Sequence, residues 1–476
     1  MGNNGSSDSI DNSSIDNSSN DNSIDNSSSD NSIDYSGNTS GDNSGSINIS
    51  FGRSVQSSVP SSVQRSVQSS VQRSVQSSVP SSVQRSVQRS KQSSIQSSIN
   101  ISGSVQLYRT LSHANPSGNM FFSPLSISSA LAMVYLGARG DTAAQMEKAL
   151  IFSSGEEFHA EFKKLIADIN SPSASYILKT ANRLYGEKTA KFLPQFLEAT
   201  CKYYQSGLKT VDFIRAAEAS RVEINTWVEQ QTENKIKDLL KPRTVSDGTR
   251  LVLVNAIYFK ANWMNRFDKA TTKEMPFKVS QNESKPVQMM YQKMNLHCNY
   301  DPDCALQILE LPYEKDELSM FILLPKRSTD GSDPLLKLEK EVTLERLKEW
   351  TNKKNNDDKS YVHVHLPKFK LEEDYELNEP LSKLGMTDAF CASKADLSGM
   401  NGKRDLFLSK VVHKAVVEVN EEGTEAAADA ATGAVVTNTC CGLKEEHFTA
   451  DHPFLFYITH NKTQTILFLG RFSSPQ

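Results

Sequence analysis

The character of the chain changes abruptly near residue 102, and that break decides how much of it can fold. Residues 1 to about 102 are dominated by Ser, Asn, Asp, Gln and Gly, while nearly all the Leu, Met and aromatic residues lie beyond. A segment so poor in large apolar side chains cannot bury enough surface to offset the entropy of ordering its backbone. Residues 6–50 repeat Asp-Asn-Ser and Ile-Asp-Asn-Ser units. From Val55 an apolar residue recurs every fourth position, through Val59, Val63, Val67, Val71, Val75, Val79 and Val83 to Val87, and then, past Lys91, at Ile95 and Ile99. A four-residue repeat advances about 400° on a helix, so the stripe drifts about 40° at each step and never collects on one face. Pro60 and Pro80 interrupt it further. Residues 1–102 therefore read as a disordered low-complexity extension, and 103–476 as one folded domain long enough for a sizeable core.

A net charge of −4, with no basic run interleaved with aromatics, gives no footprint for nucleic acid or for an acidic membrane surface. The opening Met1-Gly2-Asn3-Asn4-Gly5 has neither the basic nor the apolar part of a secretory signal, and no window approaches about 18 consecutive apolar residues. A cytoplasmic monomer is expected, with any release taking a route that needs no signal peptide. Six cysteines, at 201, 298, 304, 391, 440 and 441, form no C-x-x-C unit and are expected to be free thiols. His363 and His365 share a strand face but lack a third ligand, so neither metal nor cofactor is expected. No G-x-S-x-G, H-E-x-x-H, G-x-G-x-x-G or P-loop pattern is present, which argues against an enzyme.

Beyond residue 103 the pattern is helical first and strand-like later. Val105, Leu107, Tyr108 and Leu111 keep a helical rhythm that ends at Asn115-Pro116-Ser117-Gly118. A short strand, Met120–Phe122, leads through Ser123-Pro124 into a helix reaching about Gly137. Helical patterns follow at 141–151, 156–169, 191–204 and 216–230. Strand-like runs then dominate, at 251–259, 306–311, 319–324, 361–369, 406–419, 454–459 and 465–471. Helices followed by strands without strict alternation imply an α+β fold with large antiparallel sheets.

Several stretches resemble one family in order and spacing. Asn119-Met120-Phe121-Phe122-Ser123-Pro124-Leu125-Ser126-Ile127 is similar to the opening motif of the serpins, and Leu253–Trp263 to a strand of their central sheet. Val412–Ala428 resembles the strand and hinge that lead into their reactive loop. Asp451–Phe456 and Leu467–Phe472 are similar to their closing hairpin. The likeness runs from about residue 104 to 475 and, without a signal peptide, is to the ovalbumin-like, intracellular branch. It implies the serpin fold, with about nine helices, three mainly antiparallel sheets and an exposed reactive-centre loop. It also implies that Ser123, Ser126, Asn255 and His413 form a polar cluster where the central strands part, with Trp263 above it. The partner implied is a serine protease, held as a covalent complex; a non-inhibitory storage, chaperone or structural role is the alternative.

Serpin inhibition requires the cut loop to enter the central sheet, and strand side chains alternate between faces. The hinge is read as Glu421, Glu422, Gly423, Thr424, Glu425, Ala426, Ala427, Ala428 and Asp429. From Thr424 the inward set is Thr424, Ala426, Ala428, Ala430, Thr432, Ala434 and Val436, all small and none charged. Glu425 and Asp429 take the other parity, which is expected to face solvent. The family's hinge-to-cleavage spacing puts the reactive bond between Thr437 and Asn438. Because the segment up to Phe448 is about three residues longer than in relatives, Cys440 or Cys441 also qualifies, and a shift by one gives Val436. Between Glu425 and Gly442 there is no Arg, Lys, Phe, Tyr, Trp, Leu or Met. Trypsin-like and chymotrypsin-like pockets would find no side chain there, whereas an elastase-like pocket takes Val, Thr or Cys.

Overall fold

The computed structural model describes residues 103–152, 155–328, 333–350, 359–424 and 445–475. The repeat extension and the segment 425–444 lie outside the described residues. So do the expectations that fall on them: Glu425, Ala426, Ala427, Ala428 and Asp429 of the hinge, and Val436, Thr437, Asn438, Cys440 and Cys441 around the reactive bond.

The first helix covers 103–114 of the described chain, and Val105, Leu107, Tyr108 and Leu111 are all buried. Strand Met120–Phe122 then runs into helix Pro124–Gly137. Ser123 caps that helix, its side chain accepting from the Ser126 amide, and Pro124 stands where a missing N–H costs nothing. Leu125, Ile127, Leu131, Met133 and Val134 are buried around nearly its whole circumference, so it is a core helix.

The described residues form three sheets, as the resemblance implies. A six-stranded sheet runs in the order Phe369–Glu376, Leu408–Val419, Gly423–Thr424, Leu251–Asn262, Tyr176–Glu187, Lys209–Val211. A second runs Met120–Phe122, Thr465–Phe472, Phe454–His460, Leu318–Pro325, Leu306–Pro312, Cys298–Asp301. The third has four strands: Glu445–Thr449, Ser360–Pro367, Ser284–Leu296 and Lys273–Lys278. Pairing is mostly antiparallel, but Leu408–Val419 lies parallel to Leu251–Asn262, Glu445–Thr449 to Ser360–Pro367, and Lys209–Val211 to Tyr176–Glu187. The run 361–369, expected as one strand, divides at Pro367 and Lys368 into strands of two different sheets.

The first sheet has apolar residues on both faces. Leu251, Leu253, Ile257 and Phe259 enter the main core, whereas Val252, Val254 and Ala256 join a second cluster with Val412, Val416, Ile224 and Val228. That second cluster is roofed by helix Phe213–Gln231 and by Ile236, Leu239 and Leu240 just after it. The expectation that the outer parity of an inserting loop meets solvent therefore fails along the middle of this sheet. A helix covers that face, because the strands are apolar on both sides and each side needs a partner.

Candidate functional site

Four residues expected to cluster do meet. The Ser123 amide donates to His413 Nε2 at 3.1 Å, and Ser123 Oγ donates to the Leu467 carbonyl at 2.6 Å. Because His413 Nε2 accepts, its Nδ1 carries the proton and donates to Asn255 Oδ1. Asn255 Nδ2 in turn reaches Ser126 Oγ at 2.6 Å and the Ser126 carbonyl at 3.0 Å. Every member of this set is buried, and His413 has no exposed surface. Burial holds the His413 imidazole down at about pKa 3, so it is a neutral structural link between two strands. Sequence reasoning missed Asn182, which accepts from Asn255 and from Ser126. Only the register that sets Asn182 opposite Asn255 brings it there.

His413 and Asn255 are also cross-strand partners. Strand Leu408–Val419 pairs directly with Leu251–Asn262 from Leu408 opposite Leu251 up to Val416 opposite Tyr258. Above that point the strands separate, and Gly423–Thr424 stands between them, Thr424 opposite Val419 on one side and Ala261 on the other. The sheet is thus closed over the polar cluster and opened by two residues above it.

The opening is held by several contacts. Gly423 has φ +151°, and a Cβ there would lie 2.1 Å from the Ala261 carbonyl oxygen, which only glycine accommodates. Thr424 has no exposed surface and shares a 2.8 Å hydrogen bond with the Tyr313 hydroxyl. Trp263 stacks on Tyr313 with centroids 4.5 Å apart, donates Nε1–H to the Asn420 carbonyl at 3.0 Å, and donates its amide to the Glu422 carbonyl. Glu421 accepts from Thr272 Oγ1 at 2.9 Å and pairs with Lys368 at 2.9 Å, while Glu422 pairs with Lys269 at 2.7 Å. Tyr313, like Asn182, carried no sequence signal, because it sits in a separate turn just beyond strand Leu306–Pro312. Cys201, Cys304 and Cys391 are free thiols. Among the described residues no helix is long and apolar enough to cross a membrane.

Comparison with known proteins follows the same lines. A model of the family described as "Serpin (serine protease inhibitor)" matches residues 99–475. The chain is 56% identical over 376 residues to the leukocyte elastase inhibitor of Homo sapiens and 54% identical over 376 residues to that of Equus caballus. Each alignment covers 79% of this chain and 98% of the relative. Among solved structures, uncleaved ovalbumin superposes with a TM-score of 0.73 at 37% identity, covering 79% of this chain and 99% of ovalbumin.

Proposed function

The chain belongs to the serpin family, and on that premise we propose that it is a suicide-substrate inhibitor of serine proteases with elastase-like specificity. One observation carries the reading: Gly423 and Thr424 already stand as a strand between the two central strands, with Thr424 turned into the core. Strand addition by an inserting loop is what serpins are known for. The protease serine attacks the carbonyl before the scissile bond, forms an ester and releases the amine of the next residue. The freed loop then continues the strand begun at Gly423 and Thr424 and carries the acylated protease with it before water completes the turnover.

The described register supports a specific course. Each step forward along the loop is one step back along both neighbours, so Ala426 would fall between Val417 and Phe259, and Ala428 between Ala415 and Ile257. Ala430 would part His413 from Asn255. All of these neighbours face the main core or the polar cluster, and the incoming residues are small. The hydrogen bond from His413 to Asn255 is thus the link that insertion must break, and both groups need new partners afterwards. The specificity rests on the absence of large or basic side chains between Glu425 and Gly442, and the names of the similar proteins agree with it.

Mixing the full chain with a panel of elastase-like, trypsin-like and chymotrypsin-like proteases is expected to give a complex with an elastase-like member that survives denaturing electrophoresis. Mass spectrometry of the released C-terminal fragment then identifies the bond. A clean cut with no retained protease would mean a substrate, not an inhibitor.

Asp429 gives a second test. By the same register it would lie beside Lys414 on the helix-covered face. Lys414 is 4% exposed and now pairs with Glu372 at 2.8 Å and donates to the Lys237 carbonyl at 3.2 Å. An aspartate entering that covered space meets a cation, whereas a lysine would set like charges together. Asp429→Lys is expected to raise several-fold the number of inhibitor molecules consumed per protease trapped, while Asp429→Ala changes it little. Equal stoichiometry for the lysine variant would show that Asp429 never reaches Lys414.

A further inference from the structure

The four-stranded sheet holds a cluster that the proposed inhibition does not use. His363 and His365 lie on one face of strand Ser360–Pro367. The parallel neighbour Glu445–Thr449 sets His447 opposite His363, and on the other side Lys293 stands opposite His363 and Tyr291 opposite His365. The His363 and His447 rings stack with centroids 4.6 Å apart and planes 15° apart. The His365 ring lies 4.8 Å from that of Tyr291, whose hydroxyl meets His363 Nδ1 at 2.9 Å. His365 Nδ1 is buried without a hydrogen-bond partner. The sequence offered two histidines on one strand; the pairing of distant segments brings the third. Stacked rings hold their nitrogens in parallel planes instead of turning them to a common point. Among the described residues no group of three or more His, Cys, Asp or Glu could hold a metal ion. The ligand this arrangement responds to is the proton.

We propose that the His363–His365–His447 cluster is an acid-sensitive fastener for strand Glu445–Thr449, the strand into which the reactive loop runs. The charges around it decide the sign. From strand Ser284–Leu296 comes Lys293, already bonded to Glu445, and the neutral Tyr291. Strand Glu445–Thr449 supplies Glu445, with Oε2 3.8 Å from His363 Nε2. Beyond its end lies Asp451, which Arg327 and His452 already hold. Protonating the three imidazoles therefore adds up to three positive charges beside Lys293, and Glu445 and Asp451, both already engaged, are the acids in reach. Burial, then the nearness of His447 and His363, keeps the His365 imidazole below its ordinary range. When the strand leaves, that depression is relieved, so the released state binds protons more readily. The paired strand is secure above the ordinary imidazole value of about 6.5 and loses ground as pH falls below it.

The device stands whether or not the protein traps a protease, so its test reads the strand itself. Hydrogen–deuterium exchange of the full chain, corrected for intrinsic rates, is compared at pH 7.5 and 5.5. Protection of the 445–449 amides is expected to fall several-fold at the lower pH, with strand Phe454–His460 unchanged. A variant carrying His363→Gln, His365→Gln and His447→Asn, which keeps polar side chains but cannot take up the protons, is expected to hold that protection at both values. Undiminished protection in the unaltered chain at pH 5.5, or the same loss in the variant, would overturn the proposal.

Discussion

Nicked once between Ala434 and Gly442, the protein is expected to unfold roughly 10–15 °C above the intact chain, as read by near-ultraviolet circular dichroism during heating. The physical ground is a count of ladders. In the intact molecule the two central strands share one interface, from Leu408 opposite Leu251 to Val416 opposite Tyr258, with a two-residue wedge above it. An inserted loop pairs on both edges and replaces that interface with two. About ten further ladder bonds at roughly 1 kcal/mol net each amount to something on the order of 10 kcal/mol before side-chain packing. For a domain of this size, with its large entropy of unfolding, that gain moves the midpoint by roughly the stated interval. The intact chain does not reach this arrangement because a loop tethered at both ends, at Thr424 and at Glu445, cannot thread between strands while its far end is fixed. A nicked molecule that melts with the intact one would mean that the wedge at Gly423 and Thr424 leads nowhere.

How much of this was legible before the fold was known depends on which physical signal each part leaves in the sequence. Leu251–Asn262 is a nearly unbroken apolar run, and Leu408–Val419 carries apolar residues at both parities, Val411, Ala415 and Val417 on one and Val412 and Val416 on the other, so both read as strands that need a partner on each face. Tyr176–Glu187 and Ser284–Leu296 were not read as strands. Lys179, Thr180 and Arg183 interrupt the first, and Pro286, Gln288 and Lys293 the second, because each lies partly open to water and needs little apolar pattern. The polar cluster was legible only through resemblance. No property of Ser123, Asn255 or His413 taken alone announces a hydrogen-bonded set, and Asn182 joined it only when the strand register was known. Parity along the loop was legible from spacing alone, but what covers each face was not. The roof over Val412 and Val416 is built by a helix some 180 residues earlier in the chain, and no local pattern encodes that meeting. His447 is the same kind of case: a lone histidine until pairing sets it on His363.

Parity also yields the sharpest substitution test, because two adjacent residues should answer oppositely to the same change. Thr424→Arg places a guanidinium where the native side chain has no exposed surface and, among the described residues, shares its hydrogen bond with the neutral Tyr313 hydroxyl. Burying an unpaired cation costs several kcal/mol or more. The strand would leave its place between Val419 and Ala261, and insertion would have to begin against that cost. Released protease is then expected in place of trapped protease: the loop is cut at an undiminished rate, while covalent complex falls at least tenfold. Glu425→Arg shifts the same charge to the other parity, where the register sets it beside Glu418 and Lys260, both half-buried at the upper, less covered end of the sheet. Trapping by that variant is expected to stay within about twofold of the unaltered chain, since a partly solvated charge with an acidic neighbour costs little. Near-ultraviolet spectra of both intact variants separate a failed insertion from a failed fold. If arginine at 424 traps protease as well as arginine at 425, the inward path is not the one the loop takes. The alternation of small residues from Thr424 to Val436 would then have no part in the mechanism.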